Sequence, residues 1–189
     1  MTELNCELEV IETPPSICAI NFSAQRKILA AISDPKYRGF FYFCCCTGMR
    51  VCEALSIKRG DIDKKNGVIK IKLPDTKTKK HKRNVPYLPE LFDDISLGKT
   101  FIFEDITDDG SKQYFTRLYN ALELEFCRHS ARHTFISVCA YLGVPTETIQ
   151  EWAGHTNKKM TEGTYTHDLQ KGTSPVLTYL RKLKAVHCK

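Results

Sequence analysis

At 189 residues the chain has room for one domain with a real core and hardly for two. Charged residues at 26% and hydrophobic ones at 42% are ordinary for a soluble globular protein. The net charge of +6 and a pI near 8.8 favour a polyanionic partner without singling out nucleic acid. Nine cysteines, three of them adjacent at Cys44–Cys46, make a poor disulfide framework. The start MTELNCELEV has neither the basic nor the apolar region of a signal peptide, and no apolar run is long enough to span a membrane. No C-x-x-C pair points to a cysteine zinc site, so reduced, mostly buried thiols in a cytoplasmic protein are expected.

In chain order, residues 1–21 read as an extended lead-in, with Pro14-Pro15 blocking a helix. Ser23 is a candidate N-cap for a helix over Ala24–Ser33, with Ile28, Leu29 and Ile32 on one side. Tyr37–Cys46 is apolar almost all round and predicts a helix buried in the core. Thr47-Gly48 breaks it, and a short helix should carry Arg50 to Ile57. The period then changes: the end of Val68–Leu73 alternates, Asn66-Gly67 just before it is a hairpin-turn signal, and Val85–Tyr87 can pair back. A small antiparallel sheet of two or three strands is expected between Ile62 and Tyr87. Helical wording returns at Gln113–Leu124, at His129–Leu142, where Phe135, Val138, Cys139 and Leu142 form a core stripe that Gly143 closes, and at Thr146–Ala153. Ser174-Pro175 opens an amphipathic tail with Val176, Leu177, Leu180 and Leu183 on one face. The expected fold class is mainly α with a small antiparallel β-sheet (α+β).

The chemistry lies in residues spread along that order. Arg50 stands in TGMRVCEAL, His129 and Arg132 in HSARH, His155 after Gly154, and Tyr165 before Thr166-His167. Together they offer two fixed cations, two imidazoles and a phenol, which is what attack on a phosphodiester by a tyrosine requires. Offsetting the charge on the phosphate oxygens calls for groups fixed in advance, and arginine binds phosphate bidentately while staying charged. His129 and Arg132, three apart on one helix near its N-terminal end, can face one anion. Taken singly, each has a plain reading: a surface salt bridge from Arg50 to Glu53, a chance i, i+4 pair of His129 and His133 resembling a zinc site, and a packed tyrosine at Tyr165.

The joint wording resembles the catalytic domain of the tyrosine recombinase (phage integrase) family. TGMRVCEALSIKRGDID is similar to that family's first arginine box, with Arg50 as the phosphate-binding arginine and Glu53 as the supporting acid. HSARHTFISVCAYLGVPTETIQEWAGHTNKKMTEGTYTH is similar to its second box almost throughout, and the similarity runs from about Gln25 to His167. The interval from His155 to Tyr165 is a residue longer than in many members. TKTKKHKRNVPY resembles the family's lysine-bearing hairpin, which implies Lys77, in preference to Lys79, as general acid. Lys79, Lys80, Lys82 and Arg83 are then expected to contact DNA phosphates.

The resemblance implies a site-specific DNA recombinase. Tyr165 would attack the scissile phosphate and His129 would accept its proton. Arg50, Arg132 and His155 would stabilise the transition state, and Lys77 would protonate the departing 5′-hydroxyl. His167 reads as structural or as a weak phosphate contact. The phosphotyrosyl link conserves the bond energy, so no cofactor, ATP or metal is expected. The implied partners are double-stranded DNA and other copies of the chain, monomeric free and a tetramer on DNA. The expected organisation is a lead-in over 1–21, a catalytic domain over 22–172 and a helical tail over 173–189 whose apolar face packs on its own domain or docks in trans. Because 1–21 is too short for the N-terminal helical domain of many members, the sequence reads as an excised catalytic domain or a short member like the fimbrial DNA invertases. Two other functions fit the same residues: a type IB topoisomerase, and a DNA-binding regulator that keeps the fold without cleaving.

Overall fold

The computed structural model describes residues 22–72, 83–93, 95, 97–124, 127, 129–154 and 175–188. The expected lead-in over 1–21 lies outside the described residues, as does the basic run that carries Lys77, Lys79, Lys80 and Lys82. The helices are α1 (Phe22–Ala31), α2 (Pro35–Thr47), α3 (Val51–Ser56), α4 (Pro89–Phe92), α5 (Asp108–Ala121), α6 (Ser130–Tyr141), α7 (Thr146–Ala153) and α8 (Pro175–His187). Among the described residues a 3-10 turn, Arg59–Asp61, leads into strands β1 (Ile62–Asp63), β2 (Val68–Ile71) and β3 (Arg83–Pro86). The mainly helical class with one small sheet is what the sequence predicts.

α2 is the centre of the molecule. Asp34 caps its start by accepting from the Lys36 backbone N–H at 3.0 Å, and Pro35 occupies the first turn, where its missing N–H costs nothing. From Gly39 to Thr47 every residue is buried, which explains a stretch that is apolar on all sides. α1, α6 and α8 all pack against it. Its end is sharp because Gly48 adopts φ +62, and its N–H returns to the Cys44 carbonyl at 3.0 Å. A Cβ at Gly48 would fall 2.3 Å from a ring carbon of Phe135, so glycine is also what lets α6 approach so closely.

The sheet is antiparallel in the order β1-β2-β3, with Ile69 opposite both Ile62 and Val85. Ile69, Ile71 and Val85 point into the core, and β3 packs against α7. α5 begins earlier than its apolar stripe suggests. Thr107 accepts from the Gly110 N–H at 3.0 Å, and Asp108 and Asp109 complement the helix dipole in a polar first turn, before the buried Phe115 and Tyr119. Between β3 and α5 the described residues hold the short α4 and little other regular structure, yet Leu91, Phe92, Ile102, Phe103 and Ile106 are buried there. Four of the seven described cysteines, Cys44, Cys45, Cys46 and Cys139, are buried, and burial pushes the Cys46 thiol up to about 12.

The tail is packed in cis. Val176, Leu177, Tyr179, Leu180 and Leu183 of α8 are buried against α1 and α2, and the His187 ring stacks on Tyr42 with centroids 4.4 Å apart. Tyr179 donates to the Gln25 side chain inside the core, while Arg181 pairs with Glu90 at the surface. In the single chain the apolar face of the tail therefore rests on the chain's own core, the first of the two placements the sequence left open. The reason is area: five buried side chains on one helix find a complementary surface within the domain.

Candidate functional site

Arg50 is the N-cap of α3, the residue directly after the tight Gly48 exit from α2 and Met49. Three residues on, Glu53 folds back, so that its Oε2 accepts from the Arg50 backbone N–H at 2.8 Å and its Oε1 from Arg50 Nη1 at 2.9 Å. This fixes both backbone and guanidinium of Arg50 while leaving 31% of its side chain exposed. Glu53 itself is wholly buried. Burial pushes its carboxyl up, but the hydrogen bonds and charge of Arg83, and then those of Arg50, outweigh that and hold it down at about 2.

Arg132 enters from the first turns of α6 and is 5% exposed. Its Nη1 donates to the Gly48 carbonyl at 2.8 Å and its Nη2 to the Ala153 carbonyl at 2.5 Å. It thus bridges the ends of α2 and α7, where carbonyls lack helical partners and the dipole favours a cation. Burial, and next the neighbouring charge of Arg50, lower its pKa to about 10, which leaves it protonated at neutral pH.

The third arginine is Arg83, on β3. Its Nη1 and Nη2 grip the two oxygens of Glu53 at 2.9 and 2.7 Å, and its Nε donates to the Trp152 carbonyl at 2.8 Å. Its side chain is only 5% exposed, and the donors that its place in the basic run would offer to phosphate are turned to Glu53 and the Trp152 carbonyl. It turns inward because strand alternation and the packing of β3 on α7 bring it over the buried carboxylate. The sequence carried one signal for this: Glu53, an acid in an apolar stretch, needs more cation than a half-exposed Arg50 supplies.

The end of α7 gathers all three. The successive carbonyls of Trp152, Ala153 and Gly154 accept from Arg83, Arg132 and Arg50, the last at 3.3 Å. Gly154 sits at φ +68, and a Cβ there would come 2.7 Å from Arg83 Nη1, so a larger residue would meet both backbone strain and the guanidinium. His129 occupies the exposed N-cap of α6, one turn before Arg132, and His133 is half-buried with its pKa lowered by burial and then by Arg132. Of the residues singled out from sequence, the structure brings together Arg50, Glu53 and Arg132, with His129 on the same helix as Arg132. Lys77, Lys79, Lys80, Lys82, His155, Tyr165 and His167 lie outside the described residues. Chemically the assembly is a pre-formed cationic seat: three guanidiniums stand around one buried carboxylate, and the partly exposed Arg50 can meet an anion from solvent.

Residues 98–171 match the model of the phage integrase family. A probable integrase/recombinase of Acholeplasma phage L2 is 27% identical over 136 residues, which cover 66% of this chain and 47% of that protein. The chain therefore spans about half the length of the curated relative it matches. Among solved structures, the Tn1549 transposon integrase in complex with a circular intermediate DNA superposes with a TM-score of 0.60 at 18% identity, covering 86% of this chain and 67% of that one. XerA recombinase superposes at 0.58 with 16% identity over 85% and 66% of the two chains. A lambda integrase dimer bound to a COC′ core site superposes at 0.59 with 19% identity over 75% and 60%. At such identities these likenesses establish the fold.

Proposed function

We propose, on the premise that this chain carries a phage integrase family domain within a tyrosine recombinase catalytic fold, that it cuts and rejoins double-stranded DNA through a covalent tyrosyl intermediate. The observation that carries this reading is the convergence of Arg50 and Arg132, from opposite halves of the sequence, on the carbonyls that immediately precede His155. Two arginines fixed in advance by buried acceptors suit a phosphate that gains charge as it is attacked.

In this reading the Tyr165 oxygen attacks the scissile phosphorus, and its proton passes to His129 directly or through water. The bond from phosphorus to the 5′ oxygen breaks as Lys77 protonates that oxygen. Arg50, Arg132 and His155 hold the non-bridging oxygens in the pentacoordinate state. A 5′-hydroxyl from a second duplex reverses the step, and the 3′-phosphotyrosyl bond keeps the energy needed for rejoining. The Tn1549 and lambda integrase structures contain DNA, which supports a duplex as the partner here. The acting unit on DNA is a tetramer assembled from free monomers, working in the cytoplasm of a cell that carries a mobile element.

A nicked cognate substrate tests this. The wild type should trap a covalent protein–DNA adduct in excess EDTA and without ATP, and Tyr165→Phe should abolish it. An adduct that survives and maps to the half-exposed Tyr141, or cleavage that requires magnesium, sinks the mechanism. Joined products drawn from two different duplexes separate a recombinase from a topoisomerase, and no adduct at all indicates a DNA-binding regulator.

A further inference from the structure

Arg83 has no part in the chemistry just described, and its side chain is nearly sealed from solvent. Yet it joins three pieces of the site that are remote in sequence: β3, which directly follows the basic run, the acid that fixes Arg50, and the end of α7 from which His155 continues. We infer that Arg83 is a positioning residue for strand cleavage, holding Glu53 ionised and the end of α7 in register so that Arg50 is presented to the phosphate as an uncompensated cation. The inference rests on the strand-cleavage reading.

The argument is one of charge and geometry. A buried carboxylate paired with Arg50 alone would cancel the cation that is to meet the phosphate. Arg83 supplies a second guanidinium with both Nη groups on Glu53, at 2.9 and 2.7 Å, so Glu53 stays neutralised when Arg50 turns its exposed edge to an anion. The Nε bond to the Trp152 carbonyl ties the same group to the backbone just before the Ala153 and Gly154 carbonyls that seat Arg132 and Arg50. Lysine cannot replace this: it lacks the planar fork and cannot reach two carboxylate oxygens and a carbonyl in one plane. Because Arg83 opens β3, the same bonds also anchor the returning strand of the hairpin expected to carry Lys77.

The titratable and charged groups facing Glu53 are Arg50 at the cap of its own helix, Arg83 from β3, Arg132 from α6 and the Cys44 thiol from α2. With Arg83 gone, burial acts on Glu53 against fewer cations and its carboxyl rises. Once protonated, Glu53 no longer accepts from both the backbone and the guanidinium of Arg50. Cleavage by Arg83→Met should therefore gain an acid limb, falling as pH is lowered. Glu53→Gln in the same background should remove that limb, because no carboxyl remains to titrate.

The test measures adduct formation on a nicked duplex against pH, DNA affinity, melting temperature, and the Glu53 carboxylate stretch by isotope-edited infrared spectroscopy without DNA. Arg83→Lys should fold, bind the duplex within about threefold of wild type, since binding is spread over many phosphates, and cleave about 100-fold more slowly, as misplaced catalytic groups do. If Arg83→Met does not fold, the Arg83→Met/Glu53→Gln pair, which leaves no buried charge unpaired at that contact, takes its place, and slow cleavage with no acid limb is the expected result. Wild-type cleavage by Arg83→Lys at every pH overturns the inference. So does a loss of cleavage that only tracks loss of DNA affinity. A wild type that forms no adduct overturns the strand-cleavage reading instead, and the infrared titration still decides whether Arg83 holds Glu53 ionised.

Discussion

Arg50 and Arg132 make the same kind of bond to the same backbone corner, but their surroundings give them different consequences when lost. Arg50 is partly exposed, and its main acceptor, Glu53, keeps Arg83 if Arg50 is removed. Arg132 is buried, and its removal strands the Gly48 and Ala153 carbonyls without their donor. Arg50→Ala should therefore cost chiefly chemistry, roughly 3–4 kcal/mol of transition-state stabilisation on the scale of a lost oxyanion donor. Arg132→Ala should show that loss together with a destabilisation of about 1–3 kcal/mol for the unsatisfied acceptors. Adduct kinetics measured beside urea unfolding separate the two. Equal stability losses in both variants would mean that the two guanidiniums do not differ in their structural duty.

At the scale of elements, the tail helix α8 decides the most. Its buried face packs on α1 and α2, where Tyr179 meets Phe22 and Gln25 and His187 stacks on Tyr42. Deletion after Gly172 should consequently unfold or strongly destabilise the domain, and Leu183→Ala alone, at a position with no exposure, should cost about 2–5 kcal/mol. Thermal melting followed by circular dichroism reads both. A truncated protein that melts like the intact one would return the helix to a role between protomers. The earlier helices show the converse, since local signals suffice for them: the Asp34-Pro35 start and the Gly48 stop of α2 are written in a few adjacent residues.

Across the whole molecule, Glu53 is the point where β3, α3 and, through Arg83, the end of α7 are tied together. Its carboxyl is held at about 2, against an ordinary value of 4.5. A depressed folded-state pKa gives stability that is fully present above the unfolded value and is lost as pH falls through it toward the folded one. Between pH 4.5 and about 2 the protein should lose on the order of 3 kcal/mol from this group alone. Glu53→Gln should lower stability at neutral pH, because Arg83 is left buried without its counter-charge, and should flatten the acid slope over the same window. Denaturant titrations at a series of pH values check this, and an unchanged slope in Glu53→Gln would assign the acid loss to other carboxyls.

What the sequence determined was local or periodic. The buried helix over Tyr37–Cys46, the Asn66-Gly67 hairpin, the Thr146–Ala153 helix and the core stripe of Phe135, Val138 and Cys139 follow from side-chain spacing and turn chemistry, which act between near neighbours. Arg50, Glu53 and Arg132, which the structure brings together, were likewise legible, because a few residues of wording surround each. The inward turn of Arg83 was not. A basic run looks the same in sequence whether its last residue meets solvent or a buried acid, and only the packing of β3 on α7 chooses between them. Nor could the pattern of Val176, Leu177, Leu180 and Leu183 say what would cover it, since an apolar face specifies that it be buried but not against which chain. Tertiary structure decided both, by placing a buried carboxylate under one strand and an open core beside one helix.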